Sequence, residues 1–167
     1  MASVAPSSGT KALDVGIDYR SALRPKPTGV GRYVRDLVQR MPTSCPGTRY
    51  HLFHDEGSTS SVGGHASPTM FKLGPIRIVW EEVALPLRTR AVHPSAYHGP
   101  AALLPLALPR SVAAVVTVHD VIQRRYPETF NRFHLAHLLA SVGYSLKRAD
   151  AVIAHSKATA ADLTRFY

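Results

Sequence analysis

The chain has 167 residues, one cysteine and a formal net charge of +9 at pH 7. A chain of this length forms a single domain that can bury a core without disulfides or metals. Its hydrophobic content of 45% excludes an intrinsically disordered protein. The lone cysteine excludes an intramolecular disulfide framework and a cysteine-based zinc cluster.

The distribution of apolar and charged residues bears on location and partners. No run approaches the roughly 20 apolar residues of a membrane helix, and Met1–Thr10 lacks the apolar segment of a signal peptide. We expect a flexible leader over residues 1–11 and a cytoplasmic domain over 12–167. Basic doublets occur only at Arg124-Arg125 and Lys147-Arg148, which argues against a nucleic-acid partner. A diffuse positive field suits phosphorylated small molecules or peripheral contact with an anionic membrane surface.

The first third of the chain alternates strand and helix patterns. Ala12–Ile17 is short and apolar and predicts a first strand. After a loop, a helix is predicted from Gly29 to about Met41, with Pro42 ending it. Its apolar residues recur at helical spacing, at Val30, Val34, Leu37, Val38 and Met41. Arg49–His54 predicts a second strand.

The middle of the chain has weaker signals. Residues 56–64 are rich in Gly and Ser and predict a flexible excursion. A third strand is predicted at Ile76–Val79, and residues 80–90 have helical character, with Pro86 kinking or ending the helix. Residues 96–98 predict a further strand. The apolar stretch Ala101–Leu108 fits either a domain interface or a loop packed on its own core.

The last third gives the clearest predictions. Val112–Val118 is a continuous run rich in β-branched residues, which is typical of a buried parallel strand. A long helix is predicted over residues 129–148, with a buried apolar stripe at Leu135, Leu138, Leu139, Val142 and Leu146. A final strand at Ala151–Ala154 and a last helix capped by Ser156 follow. Strands that alternate with helices predict an α/β fold with a Rossmann-like, doubly wound parallel sheet.

Gly29 and Gly31 at the start of the first helix form one candidate site. A glycine lets a ligand approach the backbone, and a helix N-terminus offers free N–H groups to an anion. A plain helix start is the alternative. A dinucleotide-binding fingerprint would need a third glycine where Val34 stands, although Asp55 or Glu56 lies suitably for the ribose-binding acid. An NAD(P)-binding Rossmann domain therefore stays open.

His119 and Asp120 form the second candidate site, at the carboxyl end of the strongest strand. Ligands of open parallel sheets bind at such strand ends, where a histidine can hydrogen-bond a sugar hydroxyl or stabilise developing charge. Asp120 can orient the histidine or accept a hydrogen bond from a hydroxyl, and the alternative is that it caps the segment after the strand. His134 and His137 lie three apart on the long helix without a third ligand, so no metal site is predicted.

Taken in order, the motifs resemble the N-terminal domain of family 4 glycosyltransferases. They are Gly29-Val-Gly-Arg-Tyr33, Trp80-Glu-Glu82, Leu85-Pro86, His98-Gly-Pro100, Leu104-Pro105-Leu106, Val116-Thr-Val-His-Asp120, Tyr126-Pro-Glu128, Arg148-Ala-Asp-Ala-Val-Ile-Ala154, and then Ser156, Thr159, Asp162 and Leu163. The resemblance covers about residues 13–167. It implies one half of a GT-B architecture, in which two Rossmann-like domains face each other across a cleft.

The resemblance also implies roles for individual residues. Gly29 and Gly31 would form a glycine-rich loop at the cleft floor, near the donor phosphates or the acceptor. His119 would contact the transferred sugar near the reacting centre, with Asp120 as its neighbour in the motif. The further residues expected near the cleft are Arg32, Tyr33, Arg124 and Tyr126.

By this resemblance the chain is the acceptor-side half of a retaining glycosyltransferase, which moves a sugar from a nucleotide-sugar to an acceptor sugar or lipid. The nucleotide-sugar is a substrate, and no cofactor or metal is expected. The donor-binding C-terminal domain would lie outside this chain or in a partner chain, so we expect no activity from this half alone. The alternative is a non-catalytic module that binds a glycan or lipid or regulates a complete transferase.

Overall fold

The computed structural model describes residues 13–24, 26, 28–54, 64–66 and 85–167. Within 64–66 it describes the backbone course only. The predicted leader over residues 1–11 and the predicted strand at residues 76–79 lie outside the described residues, as do Asp55, Glu56 and most of the Gly- and Ser-rich stretch.

Six parallel strands form one sheet in the order β3-β2-β1-β4-β5-β6. The strands are β1 (Asp14–Asp18), β2 (Arg49–His54), β3 (Gly64–Ala66), β4 (Ala96–Gly99), β5 (Ala113–Val118) and β6 (Ala151–Ala154). The α-helices are α1 (Gly29–Ser44), α2 (Leu85–Val92), α3 (Ile122–Arg125), α4 (Arg132–Arg148) and α5 (Lys157–Phe166). Short 3₁₀ helices occupy Arg20–Leu23 and Pro127–Thr129. The predicted α/β, Rossmann-like fold is confirmed.

The strand order places a topological switch between β1 and β4. The chain moves outward from β1 through β2 to β3, then returns to β4 on the other side of β1. At such a switch the connections leave in opposite directions, and a crevice opens beyond the carboxyl ends of the strands. The ligand site is therefore expected at the edge formed by Asp18, His98 and the residues after Val118.

The core lies on both sides of the central strands. One cluster packs Ile17 and Leu52 against Val38 of α1. A second cluster joins Phe53, Tyr97 and Val116 with residues of α2 and of the loop after β4. Strands that are covered on both faces need apolar residues in succession, which is why β5 was recognisable in the sequence.

Two prolines lie inside helices, so the predictions that they end those helices are wrong. Pro42 lies inside α1, which continues to Ser44, because a proline in the last turn removes only one backbone hydrogen bond of the helix. Pro86 is the second residue of α2 as described, which runs on to Val92. Pro86 therefore does not end this helix.

The apolar loop after β4 packs on its own domain. Leu104 and Leu108 are buried in the second core cluster, while Leu106 stays exposed. The Leu104 N–H donates to Ser145 Oγ at 2.9 Å, which ties the loop to α4. Of the two interpretations of this stretch, the packed loop is the one observed.

The predicted apolar stripe of α4 is less buried than expected. Only Val142 of that stripe is fully buried, and the leucines beside it are half-buried. The predicted cap of α5 is confirmed, since Ser156 Oγ accepts a hydrogen bond from Thr159 N at 3.1 Å. No helix in the described part of the chain has both the length and the apolar character to cross a bilayer.

Candidate functional site at the carboxyl edge of the sheet

The β1 end of the edge is held by an ion pair. The Arg20 guanidinium donates to both carboxylate oxygens of Asp18, with Nε–Oδ1 at 2.8 Å and Nη2–Oδ2 at 2.6 Å. Although burial opposes ionisation of this carboxyl, Arg20 holds the pKa of Asp18 below its usual value. The pair fixes the start of the connection to α1, whose Arg35 also donates to the Ala22 carbonyl at 2.7 Å.

The β4 end of the edge carries a neutral imidazole. His98 is buried, and its Nε2 shares a hydrogen bond of 2.8 Å with Thr117 Oγ1 of the neighbouring strand. Burial lowers the pKa of His98 to about 4, against the opposing charge of Asp18. His98 is therefore uncharged at neutral pH, and its hydrogen bond to Thr117 links β4 to β5 at this edge of the sheet.

His119 follows β5 directly and is partly exposed. Its Nε2 lies 2.8 Å from the Pro100 carbonyl oxygen, which can only accept, so Nε2 carries the hydrogen. Nδ1 has no hydrogen-bond partner among the described residues and is a free acceptor in the neutral ring. The backbone is fixed as well, because Thr159 Oγ1 donates to the His119 carbonyl at 2.8 Å.

Two further rings flank His119. The ring of Tyr33, from the first turns of α1, meets the His119 ring edge to face at 5.0 Å between centroids and the His155 ring at 5.8 Å. The two imidazoles lie 5.0 Å apart. Tyr33, His119 and His155 thus form a three-ring cluster, which we call the imidazole cluster, built from three separate elements.

The N-terminus of α1 lies beside this cluster. Thr28 caps the helix, and its Oγ1 accepts from Gly31 N at 3.5 Å. Gly31 is buried, Gly29 and Arg32 are exposed, and a Cβ added at Gly29 would meet no atom within 4 Å. Gly29 is therefore not required by packing within the described chain, and the space beside it is open to a ligand.

Asp120 is exposed, and its carboxylate makes a structural hydrogen bond in the turn that follows it. Its Oδ1 accepts from Ile122 N at 3.2 Å and so closes the turn into α3. The carboxylate is exposed and keeps its second oxygen for a ligand. Both interpretations of Asp120, as a turn cap and as a site residue next to His119, are compatible with this geometry.

A cavity of about 200 Å³ opens next to His119 and Asp120. Its walls come from α1, from the loop after β4, from α3 and from α4. Besides His119 and Asp120, the residues that form these walls are Val30, Ala101, Ala102, Ile122, Gln123, Phe130, Leu138 and Val142. The site therefore has a polar end at the imidazole cluster and an apolar end between the helices.

Arg124 and Tyr126 lie away from this cavity. The Arg124 guanidinium stacks over the ring of Tyr167, 4.9 Å from its centroid, and borders a larger cavity of about 670 Å³ between α4 and α5. Tyr126 is 51% exposed. We place the functional site at the smaller cavity because it contains the strand-end residues His119 and Asp120.

Sequence reasoning missed His155 and Thr117. The signal for His155 is positional: it is the first residue after β6, as His119 is the first after β5, and these neighbouring strands are paired in register. Predicting that His155 belongs to the site requires the order of the strands in the sheet, which the position of one histidine in the sequence does not indicate. His134 and His137 are exposed, and within the described ranges no group of His, Cys, Asp or Glu is arranged to hold a metal ion.

Comparison with known proteins bears on this arrangement. The sequence profile of Glycosyltransferase Family 4 matches residues 27–167, which is most of the chain. The matched range includes Gly29, His119 and His155. No curated protein matches the chain. The resemblance that the ordered motifs indicated is confirmed.

Proposed function

Since the chain belongs to glycosyltransferase family 4, we propose that it is the acceptor-side half of a retaining glycosyltransferase. In this proposal a sugar moves from a nucleotide-sugar to a hydroxyl of the acceptor, with its anomeric configuration retained. The observation that carries the proposal is the position of His119, between the N-terminus of α1 and a cavity at the carboxyl edge of the sheet.

His119 is suited to bind a sugar hydroxyl. Its Nε2–H is committed to the Pro100 carbonyl, so the free Nδ1 accepts a hydrogen bond from a ligand O–H. Tyr33 and His155 hold the ring from one side, and the bond from Thr159 holds the backbone. A fixed acceptor of this kind orients a hydroxyl without reorganisation during the reaction.

The N-terminus of α1 is suited to the phosphates of the donor. Unpaired N–H groups and the helix dipole favour an anion there. Gly29 is exposed and has open space where a Cβ would stand, so a diphosphate can approach the backbone. The nucleotide itself would be bound by the donor-binding domain that faces this half in the GT-B architecture, so we expect this half to be inactive alone.

The test is a transfer assay with both halves. The chain is incubated with UDP- and GDP-linked sugars, a panel of sugar acceptors and the donor-binding domain of a family 4 glycosyltransferase. We expect a glycoside of retained configuration, detected by NMR, only when both halves are present. His119→Ala should lower the rate about 10- to 100-fold.

The matched control is His137→Ala, because His137 is exposed on α4 and belongs to no contact of the site. The transfer rate of the His137→Ala variant should equal that of the wild type. Equal transfer rates for His119→Ala and the wild type would contradict the assignment of His119 to the site. A product of inverted configuration would contradict the proposed stereochemistry. Acceptor binding without transfer under every condition would favour a non-catalytic binding module.

A further inference from the structure

The cavity beside His119 joins a polar end to an apolar end. The polar end is lined by His119, whose Nδ1 has no hydrogen-bond partner among the described residues, and by Asp120. The apolar end is lined by aliphatic side chains from three elements, among them Val30, Leu138 and Val142. A ligand that fills this space would place a hydroxyl and an apolar group side by side.

The walls of the cavity are fixed by the fold. Ala102 N donates to the Thr117 carbonyl at 3.0 Å, and Ala102 adopts the left-handed conformation, with φ of 62°. The ring of Phe130, which also lines the cavity, stacks on His134 at 6.1 Å between centroids. A loop that is held in a strained conformation by backbone hydrogen bonds keeps its shape, so the cavity is preformed.

The small side chains of Ala101 and Ala102 decide the size of the cavity. A longer side chain at either position would project into the space that the cavity occupies. The volume of about 200 Å³ exceeds the roughly 150 Å³ of a protein cavity known to take up benzene. A polar sugar ring would leave the aliphatic walls without a partner, whereas an apolar group of that size would cover them.

We propose that the acceptor carries an apolar group, about the size of a benzene ring, next to the hydroxyl that receives the sugar. The apolar group occupies the space between α1, α3 and α4, and the hydroxyl lies at His119. The inference rests on the proposed function and specifies its acceptor: an amphipathic alcohol or glycoside with an aromatic ring or a short alkyl segment.

The test compares glycosides that differ only in the aglycone. Methyl, phenyl and hexyl β-D-glucopyranosides, and the matching α-D-mannopyranosides, are titrated into the ¹⁵N-labelled chain. Dissociation constants are taken from the NMR shifts of Ala101, His119 and Ile122. We expect at least about tenfold tighter binding of the phenyl or hexyl glycoside than of the methyl glycoside, because only these bury apolar surface in the cavity. Tighter binding of phenyl than of hexyl identifies an aromatic group, and the reverse identifies an alkyl group.

Two cavity variants and one control locate the effect. Ala101→Leu fills the cavity and should abolish the preference for the larger aglycone, whereas Ala136→Leu, the same change on the exposed face of α4, should keep it. Ile122 is 45% exposed at the cavity mouth, so Ile122→Ser tests the same wall with little risk to folding and should also reduce the preference.

The outcomes separate this inference from the proposed function. Equal binding of methyl, phenyl and hexyl glycosides, with shifts at His119, overturns the proposal that the acceptor carries an apolar group. It leaves the assignment of the acceptor site to this edge unchanged. A preference that survives both Ala101→Leu and Ile122→Ser overturns the assignment to this cavity. Failure of every glycoside to shift His119 overturns both the inference and the acceptor-side role.

Discussion

The imidazole rings of His119 and His155 lie 5.0 Å apart because each histidine is the first residue after its strand and the strands are neighbours. Val118 pairs with Ala154 in parallel register, so the next residue on each strand emerges at the same edge. The N–H of His155 donates to the Val118 carbonyl at 3.0 Å and completes the ladder. Tyr33 then closes the group from α1.

The first prediction concerns Tyr33 as the ring that supports both histidines. Tyr33→Ala removes two edge-to-face contacts, each worth about 0.5–1.5 kcal/mol, and should lower the free energy of unfolding by about 1–3 kcal/mol. Tyr33→Phe keeps the ring and should cost less than about 1 kcal/mol. Urea unfolding of both variants checks this, and a Phe variant as unstable as the Ala variant would show that the ring packing is not what stabilises the cluster.

The second prediction compares two glycines. A Cβ at Gly99 would lie 2.2 Å from the Leu103 carbonyl oxygen, so Gly99→Ala must displace the loop after β4 and should cost at least about 2 kcal/mol. A Cβ at Gly29 meets nothing within 4 Å, so Gly29→Ala should leave the free energy of unfolding unchanged or raise it by up to about 1 kcal/mol. Thermal or urea unfolding measures both.

Gly29→Ala separates stability from function. Because the added methyl group occupies the open space next to the N-terminus of α1, the transfer rate in the two-half assay should fall at least about tenfold while the fold stays intact. Transfer at the normal rate by this variant would remove Gly29 from the site.

The third prediction concerns the pH dependence set by His98. Burial lowers the pKa of His98 to about 4, while the unfolded chain takes up the proton near 6.5. Between those values the unfolded state binds more protons, so stability should fall as pH falls from about 6.5 to about 4, by on the order of 3 kcal/mol from this residue. The pKa of about 4 already includes the effects of two neighbours: the charge of Asp18, which raises it, and His119, which lowers it.

His98→Gln removes this titration and keeps an amide that can bond Thr117. Urea unfolding of the wild type and the variant from pH 4 to pH 7 isolates the contribution of His98. The difference in stability between the two proteins should change across this range, and a constant difference would mean that His98 takes up its proton in the folded protein as readily as in the unfolded chain.

The fourth prediction concerns the link between α4 and the loop after β4. Ser145 is fully buried, and its Oγ accepts from Leu104 N at 2.9 Å and donates to the Ser141 carbonyl at 2.8 Å. Ser145→Ala leaves the buried Leu104 N–H unpaired and should cost about 1–3 kcal/mol. Ser44→Ala, at an exposed serine with a similar bond to a helix carbonyl, is the control and should cost less than about 0.5 kcal/mol.

Most of the sheet could be predicted because its strands carry strong local signals. β5 ends in four successive β-branched residues, Val115–Val118, and β2 was predicted with its observed bounds. β3 could not be predicted, since Gly64–Ala66 has no β-branched residue and pairs only because the outer edge of β2 is available.

The candidate site could be predicted only in part. His119 and Asp120 stand at the end of the strongest strand, and Gly29 begins a helix, so local patterns identified them. His155 and Thr117 contribute through the order of strands, which brings β4, β5 and β6 side by side. Arg124 was placed near the cleft by resemblance, yet its stacking on Tyr167 depends on how α5 packs, which no local pattern encodes.

The central claim is that the carboxyl edge of the sheet, around the imidazole cluster, binds the sugar acceptor. The most direct test is a map of ¹H–¹⁵N shift changes across the chain, with the histidine side-chain signals included, as a phenyl glycoside is added. We expect the largest changes at His119, His155 and the N-terminus of α1. Changes centred instead on Gly143 and Phe166, which line the larger cavity between α4 and α5, would contradict it.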